Sequence, residues 1–357
     1  MSDGLGSDGT GSDDGTSGET SDTMRERAAE STAKLWLLLQ ADRWLVSLAI
    51  VVFLFLGVVV GGQLHPTPAH QLIVDGDPME TLAQALVTST VTGVTLVLTL
   101  SQLVLSQEQG AVGDQRGRME DAMQFREDVA GVLDQSVSPT EPSAFLRALV
   151  KETERRADEL GDAVEGSDAS ADAVDRISEF VDSLKANSQQ VREGLEGATF
   201  GEFDVIRAAL DYNYSWKLYA ARRLEAEHEA DLDEATVEAF EGLAQALELF
   251  GPAREHFKTL YFQWELTDLS RTILWASLPS LLVSTWALMF FDADAVLGSV
   301  LGVPYSLLQV AAALSLSLLP FAVLLSYILR IVTVTKRTLS IGPFILRETD
   351  RDVEFDW

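Results

Sequence analysis

Long uncharged runs alternate with acid-rich stretches along the chain. Four runs contain no Asp, Glu, Lys or Arg, at residues 44–64, 82–107, 272–291 and 303–329. As a helix, the shortest run covers about 30 Å, which is the thickness of the hydrocarbon core of a bilayer. Each run is also longer than a buried helix of a soluble domain usually is. The pattern therefore predicts four transmembrane helices, two within 44–107 and two within 271–335.

The basic residues near these runs predict an orientation. The connectors at 65–81 and 292–302 contain no Lys or Arg. The opposite flanks carry the basic residues Lys34, Arg43, Arg116, Arg118, Arg271, Arg330, Lys336 and Arg337. Because Lys and Arg are enriched in cytoplasmic loops, we expect a multi-pass protein of the cell membrane, with both termini and the long middle segment in the cytoplasm.

The middle segment, residues 108–270, is too long for a loop and has helical patterning throughout. It contains 36 acidic and 16 basic residues, so most of the formal net charge of −29 lies there. One heptad-like seam has apolar residues at coiled-coil spacing, with Ser188 at one position: Val174, Ile177, Val181, Leu184, Val191 and Leu195. The segment is predicted to form an inserted helical bundle or coiled-coil hairpin, so the fold class is all-α.

Proline and glycine residues predict where these helices end. Pro139 and Pro142 precede a helix that begins near Ser143, while Gly194 with Gly197, and Gly251 with Pro252, are typical of turns. After Pro252 the chain is predicted to run as one helix to Phe291. The second apolar run has two alternatives: it continues as a helix towards Gln135, or it breaks at the glycines Gly110, Gly113 and Gly117.

The two ends of the chain have a different character. Residues 1–23 are mostly Gly, Ser, Thr and acidic residues, which predicts a disordered acidic tail. Residues 24–43 are predicted to form an interfacial helix, and residues 336–357 a cytoplasmic tail. We therefore expect the ordered structure to lie between these ends.

The second apolar run carries the most informative candidate site. Polar residues recur at spacings of four and three residues, on one helix face, at Thr88, Thr92, Thr95, Thr99, Gln102 and Ser106. Lipid offers no hydrogen-bond partners, so this face should meet protein or water. In one interpretation the hydroxyls bond their own helix or a tight helix seam. In the other, the face lines an aqueous pathway around an oligomer axis.

Two further pairs of residues are candidates for a structural role. Gly57 and Gly61 form a Gly-x-x-x-Gly pair, which permits close helix packing or a specific dimer contact. Pro279 and Pro320 each remove a helix hydrogen bond, so they are candidate hinges or static bends.

Composition excludes several kinds of chemistry. The chain has no cysteine and only four histidines, which leaves no thiolate chemistry and little metal chemistry. The acidic balance argues against nucleic-acid binding. No phosphate loop, dinucleotide fingerprint or nucleophile elbow is present, and the absence of charge within the runs argues against a proton pump or voltage sensor. We expect no enzyme activity and no cofactor.

The basic residues add a second compositional signal. Only six of the 26 are lysines. Acid excess with scarce lysine resembles the composition of haloarchaeal proteins, which work in molar salt, where charges are screened within about 3 Å. The resemblance implies a salt-adapted, archaeal source.

The order of two spans, a large helical domain and two more spans resembles the bestrophin-like channel families, and to a similar degree motor-stator and related four-span proteins. The first resemblance implies an oligomer around a pore with helical cytoplasmic parts, and it identifies no functional residue. We expect a homo-oligomeric, channel-like or transport-related protein of the bilayer. The alternative is a non-conducting scaffold or sensor that docks a cytoplasmic protein partner.

Overall fold

A computed structural model describes residues 41–74, 78–199, 203–292, 295 and 298–337. The predicted acidic tail 1–23, nearly all of the predicted interfacial helix 24–43 and the tail beyond residue 337 lie outside these ranges. Arg43, placed in that interfacial helix by the sequence, is instead the first residue of a longer helix.

The described residues are almost entirely helical, in agreement with an all-α fold. The first half of the chain forms α1 (Arg43–Leu64), α2 (Ala69–Val74), α3 (Pro78–Glu108), α4 (Val112–Val132) and α5 (Pro142–Glu165). The second half forms α6 (Ala171–Leu195), α7 (Phe203–Leu210), α8 (Tyr214–Glu227), α9 (Glu234–Phe290), α10 (Tyr305–Ser317) and α11 (Leu319–Arg337). A short antiparallel hairpin, β1 (Ser299–Val300) and β2 (Val303–Pro304), precedes α10.

Several of these helices are long and apolar. By length and composition, α1, α3 and α9 could each cross a membrane, and α10 with α11 could form a fourth, bent span. The two halves of that pair meet at an angle of 48°. The predicted fourth run is therefore two helices with a break at Leu318, two residues before Pro320.

Helix α9 contains 57 residues and packs against helices from both halves of the chain. Asp233 caps it by accepting a hydrogen bond from the Thr236 amide at 2.9 Å. Its first half packs against α5 and α8, and its apolar second half packs against α3, α10 and α11. Helix α1 packs against α10 and α11, whereas α3 packs mainly against α9.

Two expectations about helix ends need correction. The predicted turn at Gly251 and Pro252 is wrong, because α9 continues through both residues. The second apolar run does not continue unbroken towards Gln135, because α3 ends at Glu108 and α4 begins at Val112. The break contains Gly110, one of the three glycines that made a break one of the two alternatives.

The helical domain has one large core, formed by α5, α6, α7, α8, the end of α4 and the first half of α9. The predicted seam of α6 is its packed face: Val174 is half-buried and the other positions, including Ser188, are buried. Ser170 caps α6, and Glu141 caps α5 with Pro142 in its first turn. The heptad spacing therefore identified the contact between α5 and α6.

Candidate functional site

The polar face of α3 points away from the rest of the chain. All six predicted residues, Thr88 to Ser106, are exposed in the single chain. The side that packs against α9 and α11 carries Thr90, Val94 and Val97 instead. With about 3.6 residues per turn, the two sets lie on opposite sides of α3. We call the exposed set, defined by Thr88, Thr92, Thr95, Thr99, Gln102 and Ser106, the hydroxyl face.

The hydroxyl groups of this face are bonded within α3 itself. The Oγ1 atoms of Thr88, Thr92, Thr95 and Thr99 donate to the carbonyl four residues earlier, at 2.8–3.0 Å. Ser106 Oγ donates to the Leu103 carbonyl at 2.7 Å. A seam between this face and another helix of the same described chain is therefore not formed. Any partner for this face lies outside the described residues.

Gln102 differs from its neighbours on the face. Its amide group is exposed and has no hydrogen-bond partner among the described residues. Large apolar side chains flank the face on both sides, namely Val91, Leu96, Leu98, Leu103 and Leu105. The face is thus a narrow polar stripe on an otherwise apolar surface, and lipid offers no hydrogen-bond partner for the amide group of Gln102.

The two candidate hinge prolines lie close to one buried junction of hydroxyl groups. Ser280, which follows Pro279, donates its Oγ proton to the Ser317 carbonyl at 2.6 Å. Ser284 Oγ donates to Ser317 Oγ at 2.7 Å, and Thr90 Oγ1 lies 3.3 Å from Ser280 Oγ. The junction joins α3, α9 and the end of α10. It satisfies a carbonyl at the bend before Pro320, in the way that neighbouring serines compensate a broken apolar helix.

The hinge prediction has different outcomes at the two prolines. Helix α9 runs through Pro279 without a break, whereas the chain bends by 48° beside Pro320. Hinge motion at this bend stays a prediction.

Gly57 and Gly61 of α1 are exposed, as are the residues of the hydroxyl face. A Cβ added at Gly57 or Gly61 would meet no atom within 4 Å. The close approach within the chain involves Gly62, where a Cβ would lie 2.7 Å from Leu307. A packing role for Gly57 and Gly61 therefore requires a partner outside the described residues and stays a prediction. The sequence pattern did not identify the contact at Gly62.

A buried charge cluster lies where the apolar helices meet the helical domain. Glu265 of α9 accepts a hydrogen bond from Arg43 Nη2 of α1 at 2.9 Å, and Arg330 Nη1 of α11 lies 3.7 Å from the same oxygen. Tyr261 also donates to Glu265. The three charged side chains are each about nine-tenths buried. One carboxylate thus holds two arginines from the first and last helices.

Aromatic rings and a second acid complete this charge cluster. The Arg43 guanidinium lies 5.2 Å from the centre of the Tyr327 ring, and Tyr327 donates to Asp268 Oδ2 at 2.6 Å. Arg330 lies 5.7 Å from the centre of the Phe203 ring of α7 and donates to the Ala41 carbonyl at 2.8 Å. The cluster therefore fastens α1, α9 and α11 to the helical domain.

The sequence alone did not identify the charge cluster or the hydroxyl junction. Arg43 and Arg330 directly flank uncharged runs, and their positions predicted only the orientation. No role was predicted for Glu265. Within the described ranges, no three His, Asp or Glu side chains are grouped as a metal ion would require.

These features define a class: an all-α protein in which one long helix, α9, continues from a group of apolar helices into an acidic helical domain. Residues 10–357 match DUF7972, a family of unknown function, and the chain belongs to that family. No curated protein and no solved structure matches the chain. The resemblances to bestrophin-like channels and to salt-adapted proteins stay predictions from the sequence.

Proposed function

We propose that the chain is a cell-membrane protein with four spans, formed by α1, α3, the second half of α9, and α10 with α11. Both termini and helices α4–α8 are cytoplasmic in this topology, because the basic flanks lie at the same end of the apolar helices as the helical domain. The length and apolar character of the helices support the proposal.

The proposed function is a homo-oligomeric, channel-like pathway around the symmetry axis. The observation that carries it is the direction of the hydroxyl face, which points away from its own chain on a helix that is otherwise apolar. In an oligomer this face can be covered by copies of itself around water, with Gln102 and the threonine oxygens replacing part of the hydration shell of an ion. The helical domains would then form a cytoplasmic vestibule. No residue is assigned a catalytic role.

Two observations favour the non-conducting alternative. The threonine hydroxyls are already bonded to their own helix, so they do not require water. The helical domain also has an open groove of about 670 Å³, lined by residues that include Lys151, Glu154, Arg155 and Arg192. A scaffold would use its spans as an anchor and a surface of this kind to dock a cytoplasmic protein.

Ion flux through the reconstituted protein in molar KCl separates the two candidates. We expect flux through the unaltered chain, and a decrease of roughly tenfold in Gln102→Leu and Thr95→Val, equivalent to about 1.4 kcal/mol at the barrier. Leu96→Val is the matched control, because Leu96 is exposed beside the hydroxyl face. Flux that is absent, or is unchanged in all three variants, would contradict the channel and favour the scaffold.

A further inference from the structure

The apolar side chains in the first half of α4 are not buried among the described residues. Residues 112–124 expose every side chain. The large apolar ones are exposed by 82% at Val112, 64% at Met119 and 48% at Met123. Only the second half of α4, with Phe125 and Val129, packs on the core of the helical domain.

The first half of α4 continues into the packed second half of the same 21-residue helix, so it does not have to nucleate alone. Most of the stability of a helix in a protein comes from packing its apolar face, and this half has no such packing among the described residues. This stretch also contains Gly113 and Gly117, which weaken a helix further. The Arg116–Glu120 ion pair is exposed on both sides and adds little. Contact of the exposed apolar side chains with another surface would therefore stabilise this half of the helix.

The exposed apolar residues share one side of the helix. The seam has positions at spacings of four, three and four residues, as in a coiled coil. Three of these positions are apolar, Val112, Met119 and Met123, and Arg116 occupies the other. Asp114, Arg118 and Asp121 occupy the opposite side. Phe125 and Val129 lie on a different side from Met119 and Met123, so the seam is not directed at the core of its own domain.

We propose that this seam packs against the same segment of neighbouring copies, and the proposal rests on the proposed oligomer. Between α3 and α4 there are only three residues, 109–111, which span about 10 Å at most. When the hydroxyl faces of several copies surround one axis, this short connection brings the starts of their α4 helices together. Self-association of α3 thus continues outside the membrane as a bundle of α4 helices.

Cysteine cross-linking tests the seam, since the chain has no native cysteine. Met119→Cys and Met123→Cys are introduced singly into the full chain in membranes, and Asp121→Cys on the opposite side is the matched control. A short bifunctional maleimide should join subunits in most of the Met119→Cys and Met123→Cys protein and give at least fivefold less product with Asp121→Cys. Equal cross-linking at all three positions, or none at the two seam positions, would overturn the proposal.

Two further measurements separate this inference from the proposed function. Gln102→Cys tests association along α3, and ion flux tests conduction. Subunits joined at Met119→Cys without flux would keep the seam and contradict the channel. Flux and Gln102→Cys cross-linking without product at Met119→Cys would keep the channel and contradict the seam. Protection of Met119→Cys from a monofunctional maleimide, without any joined subunits, would show another occupant and would also contradict it.

Discussion

At the scale of single residues, Gly251 shows how packing overrides a local signal. The Gly–Pro pair at this position is typical of a turn, yet α9 continues through it. The neighbouring aromatic ring explains why the residue is glycine: a Cβ at Gly251 would lie 2.8 Å from Tyr214. Tyr214 is buried against Phe250 and beneath the guanidinium of Arg254, 4.7 Å from the ring centre. Glycine is therefore present here for close approach to Tyr214.

A single substitution tests this explanation of Gly251. Gly251→Ala should lower the free energy of unfolding by about 1–3 kcal/mol, because the buried Tyr214 ring has no space into which to move. Gly131→Ala in α4 is the control, since an added Cβ there meets no atom within 4 Å. Thermal unfolding followed by circular dichroism compares the two variants. A Gly251→Ala protein as stable as the Gly131→Ala protein would contradict the close contact.

At the scale of elements, the charge cluster of Glu265 connects the first and last apolar helices through buried ion pairs. Burying an ion pair is costly, and its net contribution to stability is often small. Removing one partner has a larger effect, because the remaining charge stays buried without compensation. In this cluster two arginines depend on one carboxylate.

Glu265→Gln should therefore destabilise the protein by about 3–5 kcal/mol. The exposed acid Glu248, which lies 3.6 Å from Arg222, is the control, and Glu248→Gln should cost less than about 1 kcal/mol. Thermal unfolding of the full chain in one lipid or detergent measures both. Equal stability of the two variants would mean that Glu265 does not hold Arg43 and Arg330 together.

The elements also show what could be predicted from the sequence. The α6 seam and the continuous helix from Pro252 to Phe290 were predictable, because their signals, heptad spacing and the lack of internal glycine, come from residues that are close together in the sequence. The Glu265 cluster was not, since its partner Arg43 is 222 positions away in the chain. The hydroxyl face was found by its spacing. Its direction, away from the packed side of α3, depended on where α9 and α11 lie.

At the scale of the whole molecule, α9 belongs to both parts of the structure. Its first half forms the core with α5 and α8, and its second half packs with α3 and α11. The charge cluster lies between these two halves and adds α1. A displacement of the helical domain would therefore be carried directly to the apolar helices. In the proposed topology, such a displacement begins in the cytoplasm.

The sidedness of the molecule can be tested with the same cysteine-free chain. The hairpin tip residue Leu301 is 99% exposed, and Gln190 is exposed on α6. In the proposed topology the hairpin lies outside the cell and α6 inside. A membrane-impermeant maleimide should label Leu301→Cys in intact cells and Gln190→Cys only after the membrane is opened. The two variants control for each other. Labelling of Gln190→Cys in intact cells would invert the topology, and the cytoplasmic vestibule would be excluded with it, because the acidic helical domain would then face the outside.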